Sequence, residues 1–476
     1  MSAPRAAGVG LDFGTSNSTA AWFDGRELHY VRIERDGPIL PTAIHLDPQF
    51  SARTGQAAIE QYVEENRGRL VELAVEIIGE ASGSLGGGDL ADDNPYLTTS
   101  RNPIYGQLTD RGLKGRLFHG LKRLLGDPTI ERLAVFGQSY RIVALITPIL
   151  ERIRTGIEAE LHGPLDAVHI GRPVNFEGRD ANRNALALSR LGEAARHARL
   201  TPATFYPEPI AATLSWLWAA KPTEGGLALT VDFGGGTLDL CLVRYGGGRF
   251  DVLGTDGIGL GGNRIDQLIF RALLFPELGK GERWARPVEG RRVETTFPFE
   301  EFETGLLNWP TTYLLNQNRT RWMVVDAIAQ GGPAAERFQR LLDLISYNYS
   351  YNCFQAIRVA KAALSEQLET TIDIPELNLR IPFTRAQFDA LLAGPLEEIR
   401  ALIAGLLERC RVRHEDVSVV IGTGGSSLIV AVRDLLEGAF PGRVAAHDPF
   451  TSVAAGLAIA SRSGAVYEPA ASSSNL

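Results

Sequence analysis

Three things that this 476-residue chain lacks narrow the class of protein that it can be. Cysteine occurs only at Cys241, Cys353 and Cys410, with no Cys-x-x-Cys pair, so neither a disulfide framework nor a zinc site is indicated. No apolar run reaches the ~18 residues that a membrane helix needs. Asp12 interrupts any apolar stretch of a secretory signal. These absences predict reduced thiols and a cytoplasmic protein without a membrane partner.

The sequence also lacks a basic stripe. Its 48 lysines and arginines stand against 56 aspartates and glutamates, which gives a formal net charge of −8. The arginines are interspersed with acidic residues, a distribution typical of a solvated surface. We therefore do not expect nucleic acid to be a partner.

Glycine, in contrast, is abundant. It accounts for 51 of the 476 residues, about 11%, whereas its usual share is about 7%. Glycines that cluster at strand ends indicate backbone packed close to a ligand. One Gly-, Asp-, Asn- and Pro-rich segment, 79–112, is predicted to be a long surface loop or insertion. The small, polar residues 463–476 are predicted to form a disordered tail.

The first glycine cluster belongs to a strand–turn–strand pattern over residues 8–24. Gly14 leaves room at the turn, and the turn's N–H groups with the hydroxyls of Thr15 and Ser16 can donate to an anion. Asp12, at the end of the first strand, is placed to hold a magnesium ion directly or through water. Taken alone, the segment is equally well explained as an ordinary hairpin with a polar tip.

The same pattern returns 220 residues later, at Asp232. Here Asp-Phe-Gly is followed by two more glycines, and the turn ends in Thr237-x-Asp239. Three consecutive glycines weaken a strand, so a hairpin alone does not explain them. Asp232 and Asp239 are placed to share a metal and a water, and Thr237 to contact a phosphate. A repeat at nearly half the chain length predicts an internal duplication.

A third glycine loop, 422–425, follows a predicted strand over 417–421. A helix is predicted from Ser426, and its terminal amides suit an anion or a ribose edge. No Lys-Ser/Thr follows the glycines, so this is not a Walker loop. Apolar residues at helical spacing predict further helices over 113–126, 141–161, 180–199, 346–367 and 395–410.

These motifs, in this order, resemble those of the nucleotide-binding domain of the Hsp70 chaperones, within the actin and sugar-kinase superfamily. The matching segments are Gly10–Ser18, Tyr206–Ala212, Asp232–Asp239, Gly254–Gly262 and Ile421–Ser427. The resemblance implies an α/β actin-like ATPase fold, in which duplicated ribonuclease-H-like halves form two lobes around a nucleotide cleft. Lobe I would cover 1–225, with an insertion over 46–140, and lobe II 226–462, with a subdomain over 263–370.

Three further segments are similar to the YegD-like subgroup, which lacks the peptide-binding domain. They are Leu121–Gly126, Gly171–Phe176 and Asp448–Val453. A peptide-binding domain and its lid would need on the order of 200 further residues, more than one ordinary domain. We therefore expect the chain to consist of the nucleotide-binding domain only.

The resemblance also assigns roles to single residues, with ATP or ADP and Mg²⁺ as the implied cofactors. Lys122, Glu208 and Asp232 are implied to be catalytic, and Asp12, Asp232 and Asp239 to hold the metal. From spacing alone, Lys122 is better explained as a solvated lysine on an amphipathic helix, and only the resemblance favours the catalytic role. The implied nucleotide-binding residues are Gly14, Thr15, Ser16, Asn17, Gly234, Gly235, Gly236, Thr237, Gly262, Lys361, Ser365, Gly422, Gly424, Gly425 and Ser426.

The chain departs from the family pattern at three positions. The family's adenosine-clasping helix has an acidic residue three before its lysine and an arginine after it; here these are Arg358 and Ala362. An adenine stack through that arginine is lost, which predicts weaker nucleotide binding or a different nucleotide. An acidic residue near the C-terminus is replaced by Phe450.

The resemblance favours a slow ATPase that acts as a nucleotide-dependent switch on client or partner proteins. One alternative is a small-molecule kinase of the same superfamily, although no clear aspartate base for a sugar pocket is evident. The other is a non-catalytic actin-like assembly module. The sequence makes no prediction about the oligomeric state.

Overall fold

The computed structural model describes residues 7–83, 100–110, 112–173, 176, 181–445, 447–448 and 450–463. The chain divides into two compact units. Unit 1 comprises Met1–Glu65, Gly115–Glu277 and Tyr351–Leu476, and unit 2 comprises Asn66–Lys114 and Leu278–Ser350. The cores of both predicted lobes contribute to unit 1, and the lobe boundaries drawn from the sequence stay predictions. The predicted tail falls, from residue 464 onward, outside the described residues.

The described part of the chain contains both strands and helices, and six strands precede the first helix. In chain order the strands are β1 (Gly8–Phe13), β2 (Asn17–Phe23), β3 (Leu28–Tyr30), β4 (Leu40–Pro41), β5 (Ala43–Leu46), β6 (Ala52–Thr54), β7 (Leu73–Gly83), β8 (Ser100–Asp110), β9 (Arg116–His119), β10 (Arg132–Val135), β11 (Gln138–Arg141), β12 (Val168–Arg172), β13 (Ala203–Pro207), β14 (Gly226–Phe233), β15 (Leu238–Gly246), β16 (Arg249–Ile258), β17 (Arg283–Val288), β18 (Arg291–Thr296), β19 (Glu369–Ile374), β20 (Leu379–Thr384), β21 (Val419–Thr423) and β22 (Val444–Ala445).

The helices are α1 (Gln56–Asn66), α2 (Ile142–Leu161), α3 (Ala181–His197), α4 (Glu208–Ala220), α5 (Gly262–Ile269), α6 (Phe275–Glu277), α7 (Glu300–Leu306), α8 (Asn318–Ala329), α9 (Ala335–Tyr347), α10 (Ser350–Ala363), α11 (Arg385–Cys410), α12 (Val430–Ala439) and α13 (Ser452–Ser463). A π-helical turn joins α5 to α6. Short 3₁₀ turns include Leu121–Leu124 and Gly425–Leu428. Among the described residues, none of the helices combines the length and the apolar character that crossing a membrane requires.

Two sheets of unit 1 repeat one pattern. In the first, the order is β13-β12-β1-β2-β3, and β1 is antiparallel to β2 and parallel to β12. In the second, the order is β16-β15-β14-β21-β22, and β14 is antiparallel to β15 and parallel to β21. Each predicted half therefore contains a hairpin with a parallel strand beside it. This repeat confirms the predicted α/β fold of the actin-like ATPase type, with duplicated halves.

Helix α2 covers the first sheet, and it confirms the helix predicted over 141–161. Its buried residues recur at helical spacing and belong to one apolar core with β1 and β12; they are Ile142, Val143, Leu145, Ile146, Ile149, Leu150, Ile153 and Ile157. Burying each such side chain stabilises the fold by roughly 1.5–3 kcal/mol relative to leaving it exposed. The core therefore holds β1 firmly against the helix layer.

Helix α13 approaches β1 very closely, because both elements carry small residues. A methyl group at Gly10 would overlap the carbonyl of Ala454, and one at Gly456 would overlap the carbonyl of Ala211 on α4. Ala454 and Ala458 are fully buried in this contact. The close packing fixes the end of β1, and therefore the position of Asp12.

Unit 2 contains the hairpins β7–β8 and β17–β18 together with α7, α8 and α9. Its first segment is held together by an ion pair between Arg69 and Asp110 at 2.6 Å. A hydrogen bond of 2.8 Å from Asn316 Nδ2 to the Arg69 carbonyl joins the second segment to the first. A cluster of buried aromatic rings that includes Phe297 and Phe338, 4.7 Å apart, forms part of its core.

Two predictions of local structure in the first half are wrong. Residues 113–126 do not form a helix but contain β9 and the 3₁₀ turn Leu121–Leu124, because Gly120 adopts a left-handed φ of 67° that ends the strand. The glycine-rich segment 79–112 is not a loop throughout, since its ends belong to β7 and β8, which pair with each other. Residues 84–99 of that segment lie outside the described residues.

In the second half, the helix after the third glycine loop begins at Val430 and not at Ser426, because a 3₁₀ turn comes first. The helix predicted over 395–410 is the C-terminal part of the longer α11. Its true start is fixed by a capping box, in which Gln387 N donates to Thr384 Oγ1 and Thr384 N donates to Gln387 Oε1. Both predicted hairpins, and the helix predicted over 180–199, are confirmed to within a few residues.

Candidate functional site

The turns of the two repeated hairpins lie against each other in unit 1. Asp12 is the penultimate residue of β1 and Asp232 that of β14, each two positions before the first glycine of its turn. The second turn is closed by Gly234 N, which donates to the Thr237 carbonyl over 3.1 Å. A methyl group at Gly235 would come within 3.1 Å of Ser16 Cβ. Two motifs that are 220 residues apart in sequence are thus neighbours in space.

The start of helix α5 lies on the second turn. Gly262 N donates to the Gly234 carbonyl over 3.0 Å, and Asn263 N donates to the Gly235 carbonyl over 2.8 Å. A methyl group at Gly261 would overlap the backbone of Gly235 and Gly236. The Gly-Gly pair is therefore required for this close backbone approach.

The third glycine loop joins the same place. Gly424 adopts a left-handed φ of 74°, and a methyl group there would overlap the Phe233 carbonyl. Ser426 Oγ lies 3.4 Å from the Gly234 carbonyl. A methyl group at Gly262 would lie 2.7 Å from Ser426 Oγ and 3.6 Å from Lys361 Nζ. Glycines of three separate loops thus border one region, where added side chains would fill the space.

A buried ion pair lies beside the turns. Lys122 Nζ donates to Glu208 Oε1 over 2.7 Å, and both residues are only 8% exposed. The 3₁₀ turn after Gly120 presents Lys122, and the first residue of α4 presents Glu208, where the helix N-terminus favours a negative charge. Gly171 on β12 leaves room for Glu208, since a methyl group there would lie 3.0 Å from Glu208 Cγ.

Acidic charge is concentrated around this pair. Burial and the nearby charge of Glu208 raise the pKa of Asp12 from 3.8 to about 8. Burial and the charges of Glu208 and Asp239 raise the pKa of Asp232 from 3.8 to about 7. Burial opposes the charge of Lys122, but the carboxylates of Glu208 and Asp12 outweigh it, and the pKa of Lys122 is raised. A divalent cation would relieve the repulsion among these carboxylates.

The acidic residues do not by themselves form a closed metal cage. In the described part of the chain, no group of three or more His, Cys, Asp or Glu side chains is arranged to hold a metal ion. Thr237 Oγ1 donates to Asp239 Oδ2 over 2.8 Å and thereby orients that carboxylate. Oxygen donors that leave coordination positions to water and phosphate suit Mg²⁺, which keeps several waters. The donor set therefore fits magnesium held together with a phosphate ligand.

Most of the residues singled out in the sequence meet in this region; they include Lys361, whose Nζ lies near Gly262. Lys361 on α10 is engaged by Asp266, with 2.6 Å between Lys361 Nζ and Asp266 Oδ1. Ser365 follows the end of α10, where its N–H donates to the Ala362 carbonyl over 3.0 Å. In the described part of the chain it makes no hydrogen bond to the glycine loops.

Asp266 is a residue of the site that sequence reasoning missed. It is only 2% exposed, lies on α5 four residues after Gly262, and accepts hydrogen bonds from both Lys361 and Arg358. A buried carboxylate that holds two cations beside a glycine loop positions those cations. The position four residues after Gly262, one helical turn away, was the available signal.

Comparisons with known proteins agree with this geometry. Residues 121–281 match the family model described as Hsp70 protein. The chain is 26% identical over 462 residues to the chaperone protein dnaK1 of Synechocystis sp., covering 95% of this chain and 53% of that protein. It is 26% identical over 458 residues to the chaperone protein HscA of Serratia proteamaculans, covering 96% and 58%. The chain thus spans little more than half the length of these curated relatives.

Proposed function

From the resemblance of this chain to Hsp70-family chaperones along most of its length, we propose that it binds ATP and ADP with Mg²⁺ and hydrolyses ATP. The observation that carries the proposal is the meeting of three glycine loops around the buried Lys122–Glu208 pair. Repeated Asp-Gly hairpins are explained by a ligand that has several phosphates, because each turn offers backbone N–H groups and a hydroxyl to one of them.

The residues divide by the part of the ligand that they would hold. Thr15, Ser16, Asn17 and the segment 234–237 would bind the phosphates. Asp12, Asp232 and Asp239 would hold the metal, which supplies positive charge to offset that of the phosphates. The adenosine side would be bordered by Gly262, Lys361, Ser365, Gly422, Gly424, Gly425 and Ser426.

The Lys122–Glu208 pair supports the chemistry in a simple way. The Lys122 ammonium, kept charged by the surrounding carboxylates, would stabilise negative charge on the terminal phosphate. Glu208 fixes the ammonium through the 2.7 Å hydrogen bond and, with Asp232, would orient the attacking water. Positioning and electrostatics provide most of the catalysis in phosphoryl transfer, so no covalent intermediate on the protein is needed.

We further propose a slow ATPase of the YegD-like type, which acts as a switch on client or partner proteins. Support comes from the Leu121–Gly126 segment, which is similar to that subgroup and whose Lys122 Nζ donates to Glu208 beside the hairpin turns. A cytoplasmic location is part of the proposal, supported by the three cysteines, all free, with Cys241 and Cys353 buried as reduced core thiols.

The proposal is tested by nucleotide calorimetry and ATP turnover on the wild type, Asp232→Ala, Lys122→Ala and Lys221→Ala. We expect Lys122→Ala to lower turnover by at least about a hundredfold while ADP affinity changes far less. Lys221, at the exposed end of α4, is the matched control and should leave both unchanged. A wild type that binds no nucleotide, with or without magnesium, would refute the proposal; equal turnover in Lys122→Ala and wild type would refute the role of Lys122.

A further inference from the structure

Phe450 is a large apolar side chain that is 44% exposed, although it lies beside the third glycine loop. Single exposed aromatic residues are common on protein surfaces and need no special explanation. Phe450 differs in how it is held and in what it faces.

The backbone around Phe450 is fixed by Asp448. The carboxylate Oδ1 of Asp448 accepts hydrogen bonds from Phe450 N at 2.8 Å and Thr451 N at 3.2 Å, while Oδ2 accepts one from Thr451 Oγ1 at 2.8 Å. Thr451 and the following Ser452 are 5% and 1% exposed, and α13 continues from there into the core. The exposed ring is therefore carried by a residue whose backbone N–H is held by Asp448, next to the start of a buried helix.

The ring lies against the backbone of Gly425. A methyl group at Gly425 would come within 2.7 Å of Phe450 Cε1 and 3.0 Å of Cζ, so glycine is needed for the ring to lie there. The next residue, Ser426, borders Gly262, which in turn lies near Lys361 Nζ. Phe450 thus stands at one end of a row of contacts that runs along the adenosine side of the candidate site.

We propose that Phe450 is the stacking surface for the nucleobase of the bound nucleotide. The proposal rests on the proposed function and adds a specificity-determining residue to it. An aromatic ring offers a base its flat face, and such stacking favours any base over a ligand without one. Ala362 ends in a methyl group and is exposed on α10, so that position supplies no stacking group of its own.

The experiment compares a ligand that has a base with one that lacks it. MgADP and magnesium tripolyphosphate are titrated by calorimetry into the wild type, Phe450→Ala, Phe450→Leu and Phe450→Tyr. Trp218→Ala is the matched control, because Trp218 is 38% exposed and lies on α4, away from the glycine loops. Thermal unfolding of each variant establishes that it is folded.

We expect Phe450→Ala to weaken MgADP binding about 5- to 150-fold and to leave tripolyphosphate binding within about twofold. Phe450→Tyr should stay close to the wild type, and Phe450→Leu should lose affinity for MgADP only, since it keeps apolar volume but no ring. Unchanged MgADP affinity in Phe450→Ala overturns the inference alone. Equal losses for both ligands overturn it as well, because the ring would then support the loop and not the base. A wild type that binds neither ligand overturns the proposed function and the inference together.

Discussion

At the scale of single residues, the site keeps acidic side chains under electrostatic strain. Asp12 and Asp232 are half-buried beside Glu208, and their pKa values are raised to about 8 and about 7. The strain is relieved either by a proton or by a cation, so the site has a built-in requirement for one of the two. Lys122 alone does not balance the group, since its ammonium is already paired with Glu208 at 2.7 Å.

This strain predicts a pH dependence of stability. Without metal, folded Asp12 holds a proton that the unfolded chain releases, because its pKa is about 8 in the fold against 3.8 normally. Stability should therefore fall as the pH rises from about 4 to about 8. With EDTA present, the free energy of unfolding of the wild type should drop between pH 6 and pH 8. In Asp12→Asn this drop should be smaller, by on the order of 1–2 kcal/mol.

Chemical denaturation at the two pH values, with EDTA and with Mg²⁺, measures this directly. Magnesium should stabilise the wild type more at pH 8 than at pH 6, because binding must displace the proton. Asp251→Asn, at an exposed position on β16, should keep the wild-type pH dependence. If Asp12→Asn and the wild type lose the same stability between pH 6 and pH 8, Asp12 is not the strained group.

Some of these residues could be identified from the sequence, and others could not. Asp12 and Asp232 could be found because each belongs to a contiguous motif that ends a strand. The pairing of Lys122 with Glu208 joins positions 86 residues apart, so spacing alone did not contain it. Asp266 was missed because an aspartate in an amphipathic helix normally faces water, and only packing shows that it is buried.

At the scale of elements, the contact between α13, β1 and α4 depends on residues without side chains. Gly456 on α13 lies against the carbonyl of Ala211 on α4, and Gly10 on β1 lies against the backbone of α13. Such an approach brings three elements closer than ordinary side chains permit. No helix was predicted at Ser452–Ser463, and the small residues of that segment do not by themselves show which neighbours require them.

A glycine-to-alanine substitution should lower the stability of the protein at Gly456, which lies in this contact, and raise it at Gly438, which does not. Gly456→Ala would force a methyl group into the Ala211 carbonyl and should lower the free energy of unfolding by roughly 1–3 kcal/mol. Gly438→Ala, on α12, meets nothing within 4 Å and should raise it by roughly 0.5–1 kcal/mol through helix propensity. Urea unfolding of both variants decides the matter. A stabilised Gly456→Ala would mean that α13 and α4 are further apart than described.

Another prediction at this scale, the helix over 113–126, failed because of a glycine. The leucine spacing over 113–126 imitates a helix, yet Gly120 in a left-handed conformation divides it into a strand and a 3₁₀ turn. The break has a purpose, because it turns Lys122 inward to Glu208. In contrast, 141–161 has no glycine before residue 156, and its long apolar period predicted the helix correctly.

At the scale of the whole molecule, the duplication brings two hairpin turns together in one candidate site. Each half contributes a hairpin turn next to a parallel strand, and the two turns meet where Gly235 faces Ser16. The sequence predicted the repeat, because the motifs recur 220 residues apart. Spacing alone did not predict the meeting of the turns, since that depends on long-range packing of both sheets; it was expected only from the family resemblance, which implies one cleft between two halves.

Because the two turns meet at Gly235, we expect Gly235→Ala to weaken nucleotide binding while leaving the stability of the fold nearly unchanged. The added methyl group would overlap Ser16 Oγ and push the two hairpin turns apart. We expect ADP affinity to fall by at least about tenfold, because displacing ligand-positioning groups by about 1 Å is costly. The free energy of unfolding should change by less than about 1 kcal/mol, since the turn can shift without opening the core.

Gly259→Ala is the matched control, as a methyl group there meets nothing within 4 Å and should leave affinity unchanged. Calorimetry with ADP and urea unfolding of both variants test this, and wild-type affinity in Gly235→Ala would show that the two halves do not bind one ligand together.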